Sequence, residues 1–182
     1  VGSEMCIRDR INPGQWHTCA PSVVRPAMSR VKAWGKGLVL GVLMGSSQAW
    51  AFCWEGAASR HDLEPELLQA IASVESGYRA QAMNYTNRNG TRDIGLMQIN
   101  SIHLPRLLKQ GITEERLLSE PCLSVEVGAS ILAEFIQRFG YNWTAVGAYN
   151  VGPGPGPQRE ALRLRYAERI WVRYEALTAQ RQ

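Results

Sequence analysis

An apolar rhythm with helical spacing, broken at intervals by glycine and proline, sets the strongest limit on what this chain can fold into. From residue 64 onward hydrophobic residues return every three or four positions, and the two-residue alternation of a half-buried strand is nearly absent. Glu64-Pro65 opens the first clear segment, with Leu67, Leu68, Ile71 and Val74 on one side and Gly77 as its stop. A short helix is expected before it, from Trp54 to His61. Residues 102 to 110 and 113 to 118 read as short helices split by Gly111. Ser124 reads as the cap of a longer one carrying Val125, Val127, Ile131, Leu132, Phe135, Ile136 and Phe139, ending at Gly140. Trp143 to Ala148 fits one more helix, and the run from Val151 to Gln158 is a Gly-Pro loop. The last helix, 159 to 178, places Leu162, Tyr166, Ile170, Tyr174 and Leu177 on a stripe, with Arg159, Arg163, Arg165, Arg169 and Arg173 as a basic side that is solvated or meets an anionic polymer. Tyr78 to Asp93, rich in Asn, Gly and Arg, is a loop or weak hairpin that either lines a cleft or simply connects. The expectation is an all-α domain of six to seven helices with at most a minor hairpin.

One charge breaks this pattern. Glu75 follows Leu68 by seven positions and Ile71 by four, so its carboxylate shares their apolar face. Burial disfavours the anion and would let Glu75 hold a proton near neutral pH for delivery to a leaving oxygen. The bland alternative is a helix-terminal Glu in an ion pair or turned to water. Asp93 is the other carboxylate to weigh, as a general base. His61 and His103 have no ligand partners at metal spacing and read as helix-surface residues; no metal site and no cofactor are expected.

The formal charge of +4 over 182 residues is lopsided. Residues 1 to 51 hold six Lys or Arg against two acidic residues, whereas residues 52 to 182 hold fourteen of each. A remainder neutral in sum gives no electrostatic reason for a nucleic-acid partner. Met28 to Lys36 is a basic region, Gly37 to Ser46 an apolar run, and Ala49-Trp50-Ala51 a small-x-small site, the pattern of an export signal spanning 28 to 51. An uncleaved anchor is the alternative, although a span needs about 20 apolar residues. Residues 1 to 27 read as sequence upstream of a start at Met28, leaving 52 to 182 as one domain. Cys53 and Cys122 are its two cysteines, and on an exported chain they suggest one disulfide, with two buried free thiols as the alternative.

Three motifs, in order, carry a resemblance. Glu75-Ser76-Gly77-Tyr78, Gly95-Leu96-Met97-Gln98-Ile99-Asn100 and Ala148-Tyr149-Asn150-Val151-Gly152 closely resemble the signatures of the soluble lytic transglycosylases. The likeness runs from Cys53 to about Leu177. Asp93 to Ser101 together with Pro121-Cys122 and Val127-Gly128-Ala129 is similar to the small subgroup that accompanies type III or type IV secretion, conjugation or pilus systems.

The resemblance implies a lysozyme-like fold, of the α+β lysozyme-like superfamily. It also implies that Glu75 acts twice, first protonating the oxygen between N-acetylmuramic acid and N-acetylglucosamine, then taking a proton from the sugar 6-hydroxyl to give a 1,6-anhydro product. The substrate's N-acetyl group would stand in for a second carboxylate, an exception to the two-carboxylate scheme. Tyr149 would orient the carboxyl or the acetamido group, or serve only as a core aromatic. Gln98, Asn100 and Asn150 would bind sugar hydroxyl and acetamido groups, or tie loops. Ser76 would bond near Glu75 or merely end the helix, and Met97 would pack. Gly77 and Gly95 would meet backbone requirements. The implied setting is a periplasmic monomer acting on peptidoglycan strands beside a secretion or pilus apparatus. A lysozyme-type hydrolase and a wall-binding assembly protein without catalysis remain the alternatives.

Overall fold

The computed structural model describes residues 47 to 181. Residues 1 to 27, and the export signal apart from its end at 47 to 51, lie outside the described residues. Helix α1 (Ser47–Arg60) starts earlier than the expected Trp54, because nothing in SQAWAFC breaks a helix. It leads into α2 (Pro65–Ser76), which opens on extended Glu64 and closes on left-handed Gly77, whose turn returns N–H groups to the carbonyls of Ala72 and Ser73.

Three two-residue strands follow: β1 (Met83–Asn84), β2 (Asp93–Ile94) and β3 (Ile99–Asn100). They form an antiparallel sheet in sequence order, with Met83 opposite Ile94, and Ile94 opposite Ile99. A 3-10 turn (Ser101–His103) then passes into α3 (Leu104–Leu108), α4 (Glu114–Ser119), α5 (Pro121–Phe139), α6 (Trp143–Val151) and α7 (Pro157–Ala179). The architecture is therefore seven helices and a small sheet, among the described residues, in line with an expectation of six to seven helices and a minor hairpin.

Ser124 is a correction. The helix starts at Pro121, and Ser124 is an interior residue whose hydroxyl accepts the N–H of Met97 at 3.2 Å. A buried serine serving another segment looks in sequence like a cap. The stripe on α7 is also turned from its expected setting. Leu162 is exposed and Arg163 is buried beside Tyr166, Ala167 and Ile170, while Arg159, Arg165, Arg169 and Arg173 are exposed as expected. The cause is close packing of α7 on α6 at Gly147, where an added Cβ would lie 2.5 Å from both the Cβ and the carbonyl oxygen of Arg163.

The core gathers Leu67, Leu68 and Ile71 of α2, Ile94 and Ile99 of the sheet, Val125 and Leu132 of α5, and Ile170 of α7. Cys53 and Cys122 are joined by a disulfide that ties α1 to α5, closing 69 residues of chain. A loop of this length is worth about 4 kcal/mol in the chain-entropy account. Beside it, Arg60 and His61 both bond Glu126 of α5, so His61 is paired and half-buried instead of lying free on a helix surface. Among the described residues no helix is long and apolar enough to cross a membrane.

Gly147→Ala is expected to destabilise the fold by about 1–3 kcal/mol through overpacking, read as a lower urea midpoint at unchanged slope.

Candidate active site

Glu75 stands in the last turn of α2, half-buried, where the carbonyl end of the helix also disfavours an anion. Burial pushes its carboxyl above the ordinary carboxylate value. The Tyr166 hydroxyl, donating to Oε1 at 2.6 Å, pulls it back. Asp93 raises it further, while the Asn150 side chain and Arg169 lower it. The balance leaves the carboxyl above the ordinary carboxylate value. Burial and the neighbouring Glu75 raise Tyr166 and Tyr149 well above an ordinary phenol, so both keep their protons.

The carboxyl lines a cleft of about 370 Å³ whose lining is rich in side-chain amides, from Asn87, Asn89, Gln98, Asn100 and Asn150, together with Thr91, Arg88, Ile99, Ile131 and His103. Such a surface suits a ligand made of hydroxyl and acetamido groups. His103, expected on a helix surface, thus borders the cleft. Burial, then Arg106, lower its pKa and keep it neutral. A second groove, on the α7 side, is lined by Val151, Leu162, Arg165, Tyr166 and Arg169 and shares Asn150 with the first.

The middle motif forms the floor as a tight turn between β2 and β3. Gly95 is left-handed at φ 74°, and an added Cβ there would lie 2.7 Å from the Leu117 carbonyl oxygen. Gln98 is left-handed as well, at φ 47°. That conformation is strained for a residue with a side chain and persists where the surroundings impose it. Its Nε2 donates to the carbonyls of Gly95 at 2.9 Å and Ala82 at 3.2 Å.

Leu96 and Met97 point into the core, and three hydroxyls hold their backbone. Ser76 Oγ donates to the Leu96 carbonyl at 2.7 Å, the Met97 N–H donates to Ser124, and Tyr149 donates to the Met97 carbonyl at 2.9 Å. Ser76 is therefore placed beneath the cleft and not in its lining. The Tyr149 side chain lines the cleft near Glu75, but its hydroxyl is aimed at the turn.

Asp93 lies at the centre of a loop network. Asn84 and Asn87 donate to its Oδ2 at 2.9 and 3.0 Å, and Asn100 to its Oδ1 at 2.7 Å. Asn100 also accepts the Ile102 N–H, so both ends of its amide are engaged within the protein. A carboxylate holding three amides is fitted to anchor the 84–100 region. Among the described residues no group of three or more His, Cys, Asp or Glu side chains could hold a metal ion.

The structure thus brings Glu75, Gln98, Asn100, Tyr149 and Asn150 to one cleft. The sequence reading missed Tyr166, taken as one aromatic in an apolar stripe, and Arg169, taken as solvated. The available signal was chemical: a tyrosine buried in a stripe needs a partner for its hydroxyl.

A helical domain with a partly buried carboxyl over a sugar-compatible cleft fits a peptidoglycan lytic transglycosylase with a lysozyme-like fold, and the family match shows that class. The chain belongs to the transglycosylase SLT domain family, which matches residues 52–173. It is 50% identical over 135 residues to the invasion protein IagB of Salmonella typhimurium, covering 74% of this chain and 82% of IagB. It is 47% identical over 130 residues to protein IpgF of Shigella flexneri, covering 71% and 84%. Among solved structures it resembles the lytic transglycosylase Slt of Pseudomonas aeruginosa, determined as an inactive mutant, with a TM-score of 0.56 and 20% identity. That likeness covers 74% of this chain and 24% of the longer one, and it supports the fold alone.

Because the folded state raises the Glu75 pKa, it holds a proton that the unfolded chain releases between the ordinary value and the raised one. The stability tied to this proton is fully present below the ordinary carboxylate pKa and is lost as pH rises through the raised one. Glu75→Gln, uncharged throughout, is expected to melt above the wild type at neutral pH and to lose that advantage near about pH 4, as read by calorimetry.

Proposed function

We propose that this enzyme cleaves the β-1,4 bond between N-acetylmuramic acid and N-acetylglucosamine and leaves a 1,6-anhydro-N-acetylmuramic acid end. The observation that carries the reading is the inequality of the two carboxylates near the cleft. Glu75 is partly buried with its pKa raised by that burial, while Asp93 is occupied by three amides. One residue is therefore left to serve as both acid and base.

In the first step the Glu75 proton passes to the glycosidic oxygen as its bond to C1 breaks, and the substrate's acetamido oxygen shares the positive charge at C1. In the second, the Glu75 carboxylate removes the proton of the 6-hydroxyl and that oxygen closes on C1. Glu75 ends protonated, and no water is consumed. Tyr166 suits both halves of the cycle. Its hydroxyl donates to Oε1 and so steadies the anion between the two steps. Tyr149, fixed by the Met97 carbonyl, gives the sugar a rigid wall. Asn150 and the amides across the cleft offer partners for the acetamido and hydroxyl groups, and Gln98 and Asn100 act chiefly by shaping that wall.

We further propose that the domain is exported by the segment 28 to 51 and works as a monomer in the periplasm, opening the wall locally for a secretion or pilus apparatus. IagB is an invasion protein, and the similarity to it over most of both chains supports this setting. The Cys53–Cys122 bond fits an oxidising compartment.

Mass spectrometry of sacculi digested by the protein is expected to give muropeptides one water lighter than hydrolysed ends. Glu75→Gln is expected to release them about a thousandfold more slowly or not at all. Products carrying the added water, or a fully active Glu75→Gln, would sink the reading.

A further inference from the structure

The end of α6 that carries Tyr149 and Asn150 is held by one buried cation. Arg163, on α7, is only 4% exposed. Its Nε and Nη2 donate to the Gly152 carbonyl at 3.1 and 2.7 Å, and Nη2 donates also to the Gly154 carbonyl. Nη1 donates to Glu160 at 3.0 Å. The other oxygen of Glu160 accepts the Thr144 hydroxyl at 2.9 Å, so the same ion pair reaches the first turn of α6. The guanidinium also lies 5.1 Å from the Phe139 ring centre, at the end of α5.

Burying a guanidinium is costly, and an apolar side chain of similar volume would fill the space with less penalty. What the cation adds is direction. Its planar fork binds two loop carbonyls, one on each side of Pro153, and a carboxylate at once, which a lysine ammonium cannot reproduce. The carbonyls it holds belong to the Gly-Pro loop that starts two residues after Asn150, and Gly152 also returns its N–H to Ala148 within α6.

Resting on Glu75 as the reacting carboxyl, we propose that Arg163 is a positioning residue for the reaction. By locking the carbonyls of Gly152 and Gly154 it fixes the last turn of α6 and keeps Asn150 in the cleft that Glu75 also lines. Asp93 faces Glu75 from β2, Tyr149 and Asn150 from α6, and Tyr166 and Arg169 from α7. Of these, Asn150 is the one whose backbone the clamp controls most directly. When it withdraws, the carboxyl loses a contact that stabilises its anion, and its pKa rises further.

The test compares Arg163→Lys, Asn150→Ala and the double variant on purified glycan strands, with rates expressed per folded molecule by circular dichroism. Arg163→Lys is expected to lower kcat by about 10- to 100-fold with KM within about twofold, the pattern of lost alignment. Its alkaline limb of kcat against pH should move upward, Asn150→Ala should show the same displacement, and the double variant should add little to either. A lowered melting temperature with unchanged kcat and pH profile, or fully additive effects, would reduce Arg163 to a structural residue. If Arg163→Lys fails to fold, Glu160→Gln removes a single partner of the clamp and is read the same way: an upward shift of the limb supports the proposal, an unmoved limb overturns it. Glu75→Gln beside them separates the two levels, since its inactivity with a normal Arg163→Lys profile rejects the clamp alone.

Discussion

The turn Gly95–Gln98 is the piece on which the rest of the site depends. Its backbone is buried and would leave polar groups unpaid in the core, so hydroxyls from three helices close the account: Ser76 from α2, Ser124 from α5 and Tyr149 from α6. Each of those helices is thereby registered against the same four residues. Glu75 precedes Ser76, and Asn150 follows Tyr149, so the acid and its neighbour inherit their positions from bonds made to the turn. The left-handed conformations of Gly95 and Gln98 are what allow a chain reversal this tight at the floor of a cleft.

Chemistry at such a site needs a carboxyl that can exist in both states within one turnover. Burial alone would overshoot, making the acid reluctant to give up its proton. Tyr166, Asn150 and Arg169 oppose burial, and Asp93 reinforces it. The resulting compromise comes from three separate elements, β2, α6 and α7, which explains why no single stretch of sequence announces it. Arg169 contributes at longer range, standing over the Tyr166 ring at 5.4 Å from its centre.

Much of the fold was legible because α2, α5 and α7 each bury one stripe, and stripes leave a period in the sequence. Their ends were legible where a left-handed or helix-stopping glycine was required, as at Gly77 and Gly140. The sheet was legible only as a weak hairpin over 78 to 93, since strands of two residues are too short to alternate and β3 left no signal. Ser124 and Arg163 were misplaced for related reasons: a polar residue is assigned to the surface or to a cap unless its partner is known, and both partners lie in other segments. At the site, Glu75 stood out by an apolar-face argument and the motifs marked its neighbours. Tyr166 did not stand out, because its hydroxyl answers a carboxyl 91 residues away, a separation that no local pattern encodes.

That separation has a kinetic consequence. The acid lies in the second helix and its hydroxyl partner in the last, and the loop that positions Asn150 is gripped from that same last helix. A chain emerging from its N-terminus onward possesses Glu75 long before it possesses the groups that tune and aim it. Long-range contacts of this kind form late, after the entropy of closing the intervening chain has been met. The carboxyl therefore meets the groups that tune it only where the last helix packs on the second, and any opening of that one helix pair separates the acid from its hydroxyl partner.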